Sequence, residues 1–192
     1  MAYDFYAYLG RMKYIKRWSL MHSTVRENIM EHSEQVAQIA HALAMINNKV
    51  FGGNADANKC VTLAVFHECS EVITGDLPTP IKYYNSEITG AYKDLEAVAN
   101  NQLLGMLPED FRLDYEKIIS PDESTIEYKL SKCADKLSAY IKCLEELKSG
   151  NKEFQKAEKT IKKELESSPL PELKYFMDHF LSGFKKTLDE LE

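Results

Sequence analysis

The stretch CVTLAVFHE, residues 60–68, decides the fold class of this chain. Its first seven residues carry no formal charge and present apolar side chains on all sides of a helix, which is typical of a buried central helix. The rest of the 192-residue chain has helical periodicity nearly everywhere and strand-like alternation hardly anywhere. Since this length suits one domain and no repeat or linker is visible, we predict a single all-α domain over residues 1–192.

Helix signals on the N-terminal side of this stretch are clear. Residues 3–17 place their apolar side chains on one broad stripe and predict a helix. Asn28 and Glu31 form a capping-box pattern that predicts the start of a second helix, and apolar periodicity continues that helix to Ile46. Beyond the central helix, the segment TGDLPTPIKYYN at 74–85 combines glycine and proline and predicts a loop with little regular structure.

The C-terminal half also shows helix signals. Residues 86–107 have helical periodicity, and the run SPDE at 120–123 predicts the next helix start, with serine, proline and glutamate in the cap, first and third positions. Gly150 fits the left-handed position just past the end of that helix. Two further helices follow, and the segment SSPLP at 167–171 separates them.

Composition narrows the cellular setting. With 24 basic and 30 acidic residues the formal net charge is −6, which argues against general affinity for nucleic-acid backbone or anionic membranes. No segment has the roughly 20 apolar residues of a membrane span, and charges interrupt the N-terminus, unlike a signal peptide. The four cysteines form no CxxC pair and lie in apolar surroundings, which predicts buried, reduced thiols. We therefore expect a cytoplasmic protein.

Ionisable residues set within apolar helices are the candidates for chemistry. His67, Glu68 and Glu71 follow directly on the central helix, where an unpaired buried carboxylate costs several kcal/mol. On a continuous helix His67 and Glu71 share a face and Glu68 lies about 100° away. The cluster therefore needs a metal, another cation or hydrogen-bond partners, and a purely structural network is an equally good interpretation of these residues alone.

Two further residues extend this candidate site. His32 lies in the first turn of its predicted helix, and Asp135 lies within a strongly apolar helical stretch beside small residues. Two imidazoles and two carboxylates from three helices suit one borderline divalent ion such as manganese, cobalt, iron or zinc. Composition and spacing leave open whether the four residues converge.

His32, then His67 with Glu68, then Asp135 resemble the H…HD…D signature of the HD-domain metal-dependent phosphohydrolases. Within that superfamily the chain is similar to the bacterial 5′-deoxynucleotidases of the YfbR type, from residue 5 to about 188. The resemblance implies an all-helical homodimer that hydrolyses deoxyribonucleoside 5′-monophosphates to deoxynucleoside and phosphate. The likeness is carried by RMKYIKRW (11–18), VRENIMEHSEQVA (25–37), FGGN (51–54), SEVITGDLPTPIKYYN (70–85) and KCADKLSAYIKCLEEL (132–147).

By position, the resemblance also implies roles for individual residues. Glu71 matches an essential acidic residue near the attacking water, and Arg17 matches the residue that orients the phosphate. The implied ligands of one divalent metal are His32, His67, Glu68 and Asp135. Of these, Glu68 and Asp135 are also expected to contact substrate. The implied deoxyribose-binding wall consists of Trp18, Asp76, Leu77, Pro78 and Thr79.

Taken alone, three of these residues have ordinary structural interpretations. Arg17 lies in a basic run and suits a solvated surface charge, Trp18 suits a core position, and Asp76 suits a turn cap.

One residue departs from the family pattern. The family's HD aspartate is Glu68 here, and the added methylene moves the carboxylate by roughly 1.5 Å unless the helix shifts or the ligand mode changes.

Two other functions remain open from the sequence. One is an HD phosphohydrolase that acts on cyclic nucleotides, nucleoside triphosphates or (p)ppGpp. Such enzymes usually show further histidines of the site or an HDxxED run, and this chain shows neither pattern. The other is a non-catalytic nucleotide or metal sensor in which Glu68 has disabled the chemistry. The retention of Arg17, Glu71 and Asp76 favours an enzyme.

Overall fold

In the computed structural model, which describes residues 2–191, the chain forms ten α-helices and those residues include no β-strand, which confirms the all-α prediction. The helices are α1 (Phe5–Leu9), α2 (Ile29–Val50), α3 (Ala57–Phe66), α4 (Glu71–Thr74), α5 (Thr79–Lys82), α6 (Ser86–Gly105), α7 (Glu109–Ile119), α8 (Ile126–Lys148), α9 (Gln155–Glu166) and α10 (Pro171–His179). Short 3₁₀ turns lie at Met12–Tyr14, Lys152–Phe154, Leu181–Lys185 and Leu188–Glu190.

Helices α2, α3 and α8 pack against one another and form the main core. Each turns a stripe of aliphatic side chains inward at three- and four-residue spacing, among them Val36, Leu43, Leu130, Leu137 and Ile141, which are fully buried. Burial of side chains of this size stabilises the fold by about 1.5–3 kcal/mol each. The main core therefore fixes the relative positions of α2 and α8, which carry candidate site residues, and of α3, which leads directly into two more.

A second, smaller core lies where α1, α6 and α7 meet the end of α3. Its fully buried members include Phe5, Leu103 and Leu107, with Cys69 packed beside them. Cys69 lies between the candidate residues Glu68 and Glu71, so this cluster anchors the turn that carries both carboxylates.

The start of α2 and the end of α8 lie where the sequence signals predict them. At the start of α2, Asn28 Oδ1 accepts from the backbone N–H of Glu31 at 3.0 Å, and Glu31 Oε2 accepts from the N–H of Asn28. After α8, Gly150 adopts φ +83°, a left-handed conformation that suits glycine. The predicted capping box and the predicted C-terminal glycine are both confirmed.

The predicted helix over residues 3–17 is wrong. Helix α1 ends at Leu9, and after a 3₁₀ turn the chain becomes extended. There Ile29 N–H donates to Ile15 O at 3.0 Å, Arg17 N–H donates to Glu27 O at 3.1 Å, and residues 16 and 28 form an isolated antiparallel bridge. This long-range pairing replaces local helical propensity and draws the segment to the start of α2.

Two other boundaries also differ from the sequence prediction. The run at 120–123 does not cap α8, because Asp122 Oδ1 accepts from Ser124 N–H in a local turn, and Thr125 caps the helix instead by accepting from Tyr128 N–H. The predicted loop at 74–85 contains the one-turn helix α5, and α7 was not predicted.

The segment between Trp18 and α2 is held by a buried ionic network. Glu146 of α8 is 1% exposed and accepts from Lys142 Nζ at 2.6 Å, Thr24 N–H at 2.8 Å and Asn151 Nδ2 at 2.8 Å. These bonds hold the pKa of Glu146 well below its usual range despite burial. The network ties the chain that leads into α2 to the C-terminal part of α8.

All four cysteines are buried and free, as the sequence predicts. Among the described residues, none of the helices combines the length and apolar character that crossing a membrane requires.

Candidate metal centre

The central helix ends earlier than the sequence indicates, and this changes the geometry of the site. Helix α3 stops at Phe66, His67 and Glu68 lie in the following turn, and Glu71 begins the short helix α4. The expectation that these residues share one continuous helix is therefore wrong. The turn nevertheless brings both His67 and Glu68 to the point where α2 and α8 come together.

The structure brings together the four residues that the sequence suggests as metal ligands. His32 Nε2 lies 3.0 Å from Asp135 Oδ1 and 3.6 Å from Glu68 Oε1. His67 Nε2 lies 3.7 Å from each of the same two oxygens. One ligand atom from each residue falls within 4.8 Å of all the others. This clustering resolves the question of convergence that composition and spacing leave open.

The hydrogen bonds around His67 leave one nitrogen free toward the cluster. His67 Nδ1 lies 2.7 Å from the carbonyl oxygen of Ala64, so Nδ1 carries the proton and donates it. His67 Nε2 is buried and has no hydrogen-bond partner among residues 2–191, and the same holds for Glu68 Oε2. A backbone-held imidazole with a free Nε2 beside carboxylates suits a borderline divalent cation. The donor set therefore fits a metal ion.

Local charges keep Asp135 ionised. Burial alone would raise the pKa of this carboxyl, but Lys132 and the two imidazoles lower it well below its usual range. Lys132 Nζ lies 3.1 Å from Asp135 Oδ2, which leaves Oδ1 facing His32 and His67. The sequence reasoning did not single out Lys132, whose one signal is its place at the start of the segment 132–147.

Glu71 lies beside the four clustered residues but does not belong to them. Its side chain is buried, and Oε2 has no hydrogen-bond partner within the described part of the chain. Burial, together with the negative charges of Glu68 and Asp76, raises the pKa of Glu71 to about 9. A carboxyl in this state can hold a proton at neutral pH, which is a property of candidate acid–base residues.

Arg17 reaches the cluster because residues 15–17 pair with residues 27–29. Its guanidinium NH1 lies 2.7 Å from His32 Nδ1 and its Nε lies 3.8 Å from Glu68 Oε1. Although burial opposes the charged form, Glu68 and Glu27 raise the pKa of Arg17. The interpretation of Arg17 as a solvated surface charge is therefore wrong, since its side chain is only 13% exposed.

Trp18 occupies a strained backbone position next to Arg17. Its φ of +58° lies in the left-handed region, which costs a residue other than glycine roughly 1–2 kcal/mol. The indole ring packs on Phe154 with centroids 5.2 Å apart, and Nε1–H donates to Glu27 Oε2 at 3.0 Å. Trp18 is half-buried rather than a core residue. Glu27 was missed by the sequence reasoning, and its signal is its position within the segment 25–37.

The loop at 75–79 lies within electrostatic reach of the cluster. Gly75 turns the chain at φ +72°, Asp76, Leu77 and Pro78 are half-buried, and Thr79 is exposed at the start of α5. Burial raises the pKa of Asp76, and the positive charge of Arg17 opposes this rise. Asp76 is thus more than a solvated turn cap, while the role of the loop as a sugar wall stays a prediction.

An all-helical bundle with a His, His, Glu and Asp cluster between α2, the end of α3 and α8 has the arrangement of an HD-domain phosphohydrolase. An HD-domain phosphohydrolase structure from Listeria innocua shares this fold, with a TM-score of 0.83, 22% identity, and coverage of 94% of this chain and 88% of that one. The particular family follows from the sequence: residues 4–184 match the family described as 5′-deoxynucleotidase YfbR-like, and the chain belongs to that family.

Individual relatives agree with this placement. A 5′-deoxynucleotidase of Shewanella oneidensis is 49% identical over 187 residues, covering 97% of this chain and 96% of that protein. A 5′-deoxynucleotidase of Vibrio vulnificus is 50% identical over 188 residues, covering 97% of each. A cyanophage S-2L HD phosphohydrolase, solved with dA and one catalytic Zn²⁺ ion, shares the fold at a TM-score of 0.61 and 20% identity, covering 92% of this chain and 96% of that one.

Proposed function

We propose that this protein is a metal-dependent 5′-deoxynucleotidase, which hydrolyses deoxyribonucleoside 5′-monophosphates to deoxynucleoside and phosphate. The observation that carries the proposal is the cluster of His32, His67, Glu68 and Asp135, whose ligand atoms lie within 4.8 Å of one another. Membership of the YfbR-like family and the names of relatives at about 50% identity support the same substrate class.

The cluster would hold one divalent metal ion, with cobalt, manganese or another borderline transition metal as candidates. Such an ion polarises a phosphoryl oxygen and lowers the pKa of bound water. Glu68 supplies its carboxylate on a longer side chain than aspartate, and its place in a turn rather than in a helix supports its serving the same ion. Glu68 and Asp135 would also contact the bound nucleotide.

Arg17 would orient the phosphate, and Glu71 would act on the attacking water. Arg17 presents a planar set of donors that matches phosphate oxygens, and its short distance to His32 supports a position beside the reacting group. A divalent cation held by the cluster would favour the ionised form of Glu71 through its positive charge. Ionised Glu71 would take the proton of the attacking water at its unpartnered Oε2, and so serve as a general base. The proton is then available to the departing deoxynucleoside oxygen.

Selection of the sugar would be steric. Trp18 on one side and the loop Asp76, Leu77, Pro78 and Thr79 on the other would leave no room for a 2′-hydroxyl. The strained backbone of Trp18 supports this role, because such strain concentrates at functional sites. Desolvating an unpaired hydroxyl costs about 1–3 kcal/mol, so ribonucleotides should be disfavoured by roughly 5- to 160-fold.

The test is phosphate release from a nucleotide panel by chelator-treated protein reloaded with cobalt, manganese or zinc. We expect hydrolysis of dAMP and other deoxynucleoside 5′-monophosphates, with AMP and 3′-monophosphates as poor substrates. Equal kcat/KM for dAMP and AMP would refute the substrate assignment and leave a phosphohydrolase of another specificity. Absence of hydrolysis with every metal, combined with activity in Glu68→Asp, would instead support a metal or nucleotide sensor.

We also propose that the protein acts as a homodimer in the cytoplasm. The family resemblance supports the dimer, and four buried, free cysteines support a reducing compartment. Light scattering on the purified chain tests the first point, and fractionation of the producing cell tests the second.

A further inference from the structure

The family resemblance assigns no role to Glu27, which lies within the matching segment 25–37, yet its carboxylate contacts two of the proposed substrate-binding residues. We propose that Glu27 is a positioning residue that holds Arg17 and Trp18 in one arrangement and thereby couples phosphate orientation to sugar selection. This inference rests on the proposed function for its substrate, but its structural part can be tested without any nucleotide.

The first contact is ionic. Glu27 Oε1 lies 3.4 Å from Arg17 NH1 and 3.6 Å from His32 Nδ1. Both side chains of the ion pair are only 13% exposed, so solvent screens the interaction weakly. The backbone reinforces the pair, because Arg17 N–H donates to the carbonyl oxygen of Glu27 at 3.1 Å. Arg17 is therefore fixed to Glu27 through both its backbone and its side chain.

The second contact uses the other carboxylate oxygen. Trp18 Nε1–H donates to Glu27 Oε2 at 3.0 Å, while Phe154 packs on the indole ring. Trp18 has φ +58°, a conformation that persists only where surrounding contacts impose it. The hydrogen bond to Glu27 is a directional contact of this kind and sets the rotation of the ring.

Because each oxygen already has a protein partner, Glu27 acts through Arg17 and Trp18 rather than on the substrate. The ion pair with Arg17 needs the negative charge of Glu27. The indole N–H of Trp18 needs only a hydrogen-bond acceptor on a side chain of the same length. The two roles can therefore be separated by Glu27→Gln, which keeps a carbonyl acceptor for Trp18 and removes the charge that pairs with Arg17. Glu27→Ala removes both.

The experiment uses the full chain. The matched control is Glu34→Gln, since Glu34 is an exposed glutamate of α2. Trp18 is the sole tryptophan, so acrylamide quenching of the protein's emission reports its environment alone. Quenching is measured without nucleotide, with and without cobalt. Thereafter kcat/KM is measured for dAMP and AMP, and thermal melting establishes that each variant is folded.

We expect Glu27→Gln to retain wild-type quenching and the wild-type ratio of dAMP to AMP hydrolysis, while kcat/KM for both falls about 10-fold or more. Glu27→Ala should raise the quenching constant and lower the selectivity ratio as well. Wild-type kcat/KM in Glu27→Gln would overturn the proposal, as would unchanged quenching in folded Glu27→Ala.

If Glu27→Ala does not fold, the second test is a double-mutant cycle of Trp18→Phe alone, Glu27→Ser alone and the two combined. Loss of the indole N–H should make the two changes less than additive in the selectivity ratio. Full additivity would overturn the coupling. If no nucleotide is hydrolysed, the proposed function fails, but the quenching results still support or overturn the positioning of Trp18 by Glu27.

Discussion

Replacing Glu71 by glutamine should stabilise the metal-free protein, and the effect should grow as the pH rises. Glu71 is 7% exposed, and its pKa in the folded chain is about 9, because burial and the charges of Glu68 and Asp76 disfavour ionisation. In the unfolded chain a glutamate ionises near pH 4.5. Between these two values the folded state holds a proton that the unfolded state releases.

The sign of the effect follows from this difference in bound protons. Where the folded state binds more protons, the free energy of unfolding falls with rising pH, by up to about 1.4 kcal/mol per pH unit for one group. From about pH 5.5 to about pH 7.5, Glu71 should therefore cost the wild-type protein up to about 2.7 kcal/mol. Glutamine does not titrate, so Glu71→Gln should lack this contribution.

The assay is urea denaturation in excess chelator at both pH values, with the free energy of unfolding extrapolated to water. The exposed-site variant Glu34→Gln serves as the control for loss of one negative charge. The measured quantity is the difference between wild type and variant at each pH, since all other titrating groups then cancel. If wild type and Glu71→Gln lose stability in parallel as the pH rises, Glu71 does not retain a proton in the fold and the reasoning is refuted.

Three other outcomes are expected. His67→Ala should lose bound metal by elemental analysis while circular dichroism shows unchanged helical content, and full metal occupancy would remove His67 from the ligand set. Glu68→Asp should remain active with an altered preference among cobalt, manganese and zinc, whereas complete loss of activity with all three metals would mean that the site requires the longer side chain. Glu146→Ala should lower the free energy of unfolding by about 3–5 kcal/mol, because Lys142 stays buried without its partner. Since the pKa of Glu146 is depressed in the fold, its contribution should be lost as the pH falls below the ordinary glutamate range, and urea titrations at neutral and acidic pH measure both effects.

The sequence predicts the helical class and the family because both depend on dense local signals. The capping box at Asn28 and the glycine at position 150 are chemical requirements of helix ends, so they survive in the structure. The four candidate ligands could be joined into one site only through the family resemblance, since residues 32 and 135 are 103 positions apart and nothing local indicates that they meet.

The errors come from interactions that are distant in sequence or that compete locally. The segment 15–17 has helical periodicity, but pairing with residues 27–29 makes it extended, and that pairing is what delivers Arg17 to the site. Glu27 was missed because its function depends on the same pairing. Residues 120–123 have the side chains of a helix start, but Asp122 accepts a hydrogen bond from Ser124 N–H within a local turn. Thr125 therefore caps α8 instead.

The division of the ligands among α2, the end of α3 and α8 makes the proposed metal a noncovalent cross-link of the main core. Each ligand is carried by an element whose position is set by buried aliphatic packing. A cavity made in the main core, as by Leu137→Ala, should therefore weaken metal affinity along with stability, although Leu137 is no ligand. The same linkage runs in reverse, because excess metal that binds only the folded chain raises its stability by mass action. Folding and metal binding are thus one coupled equilibrium. Core mutations and metal concentration should both shift it, and with it both stability and activity.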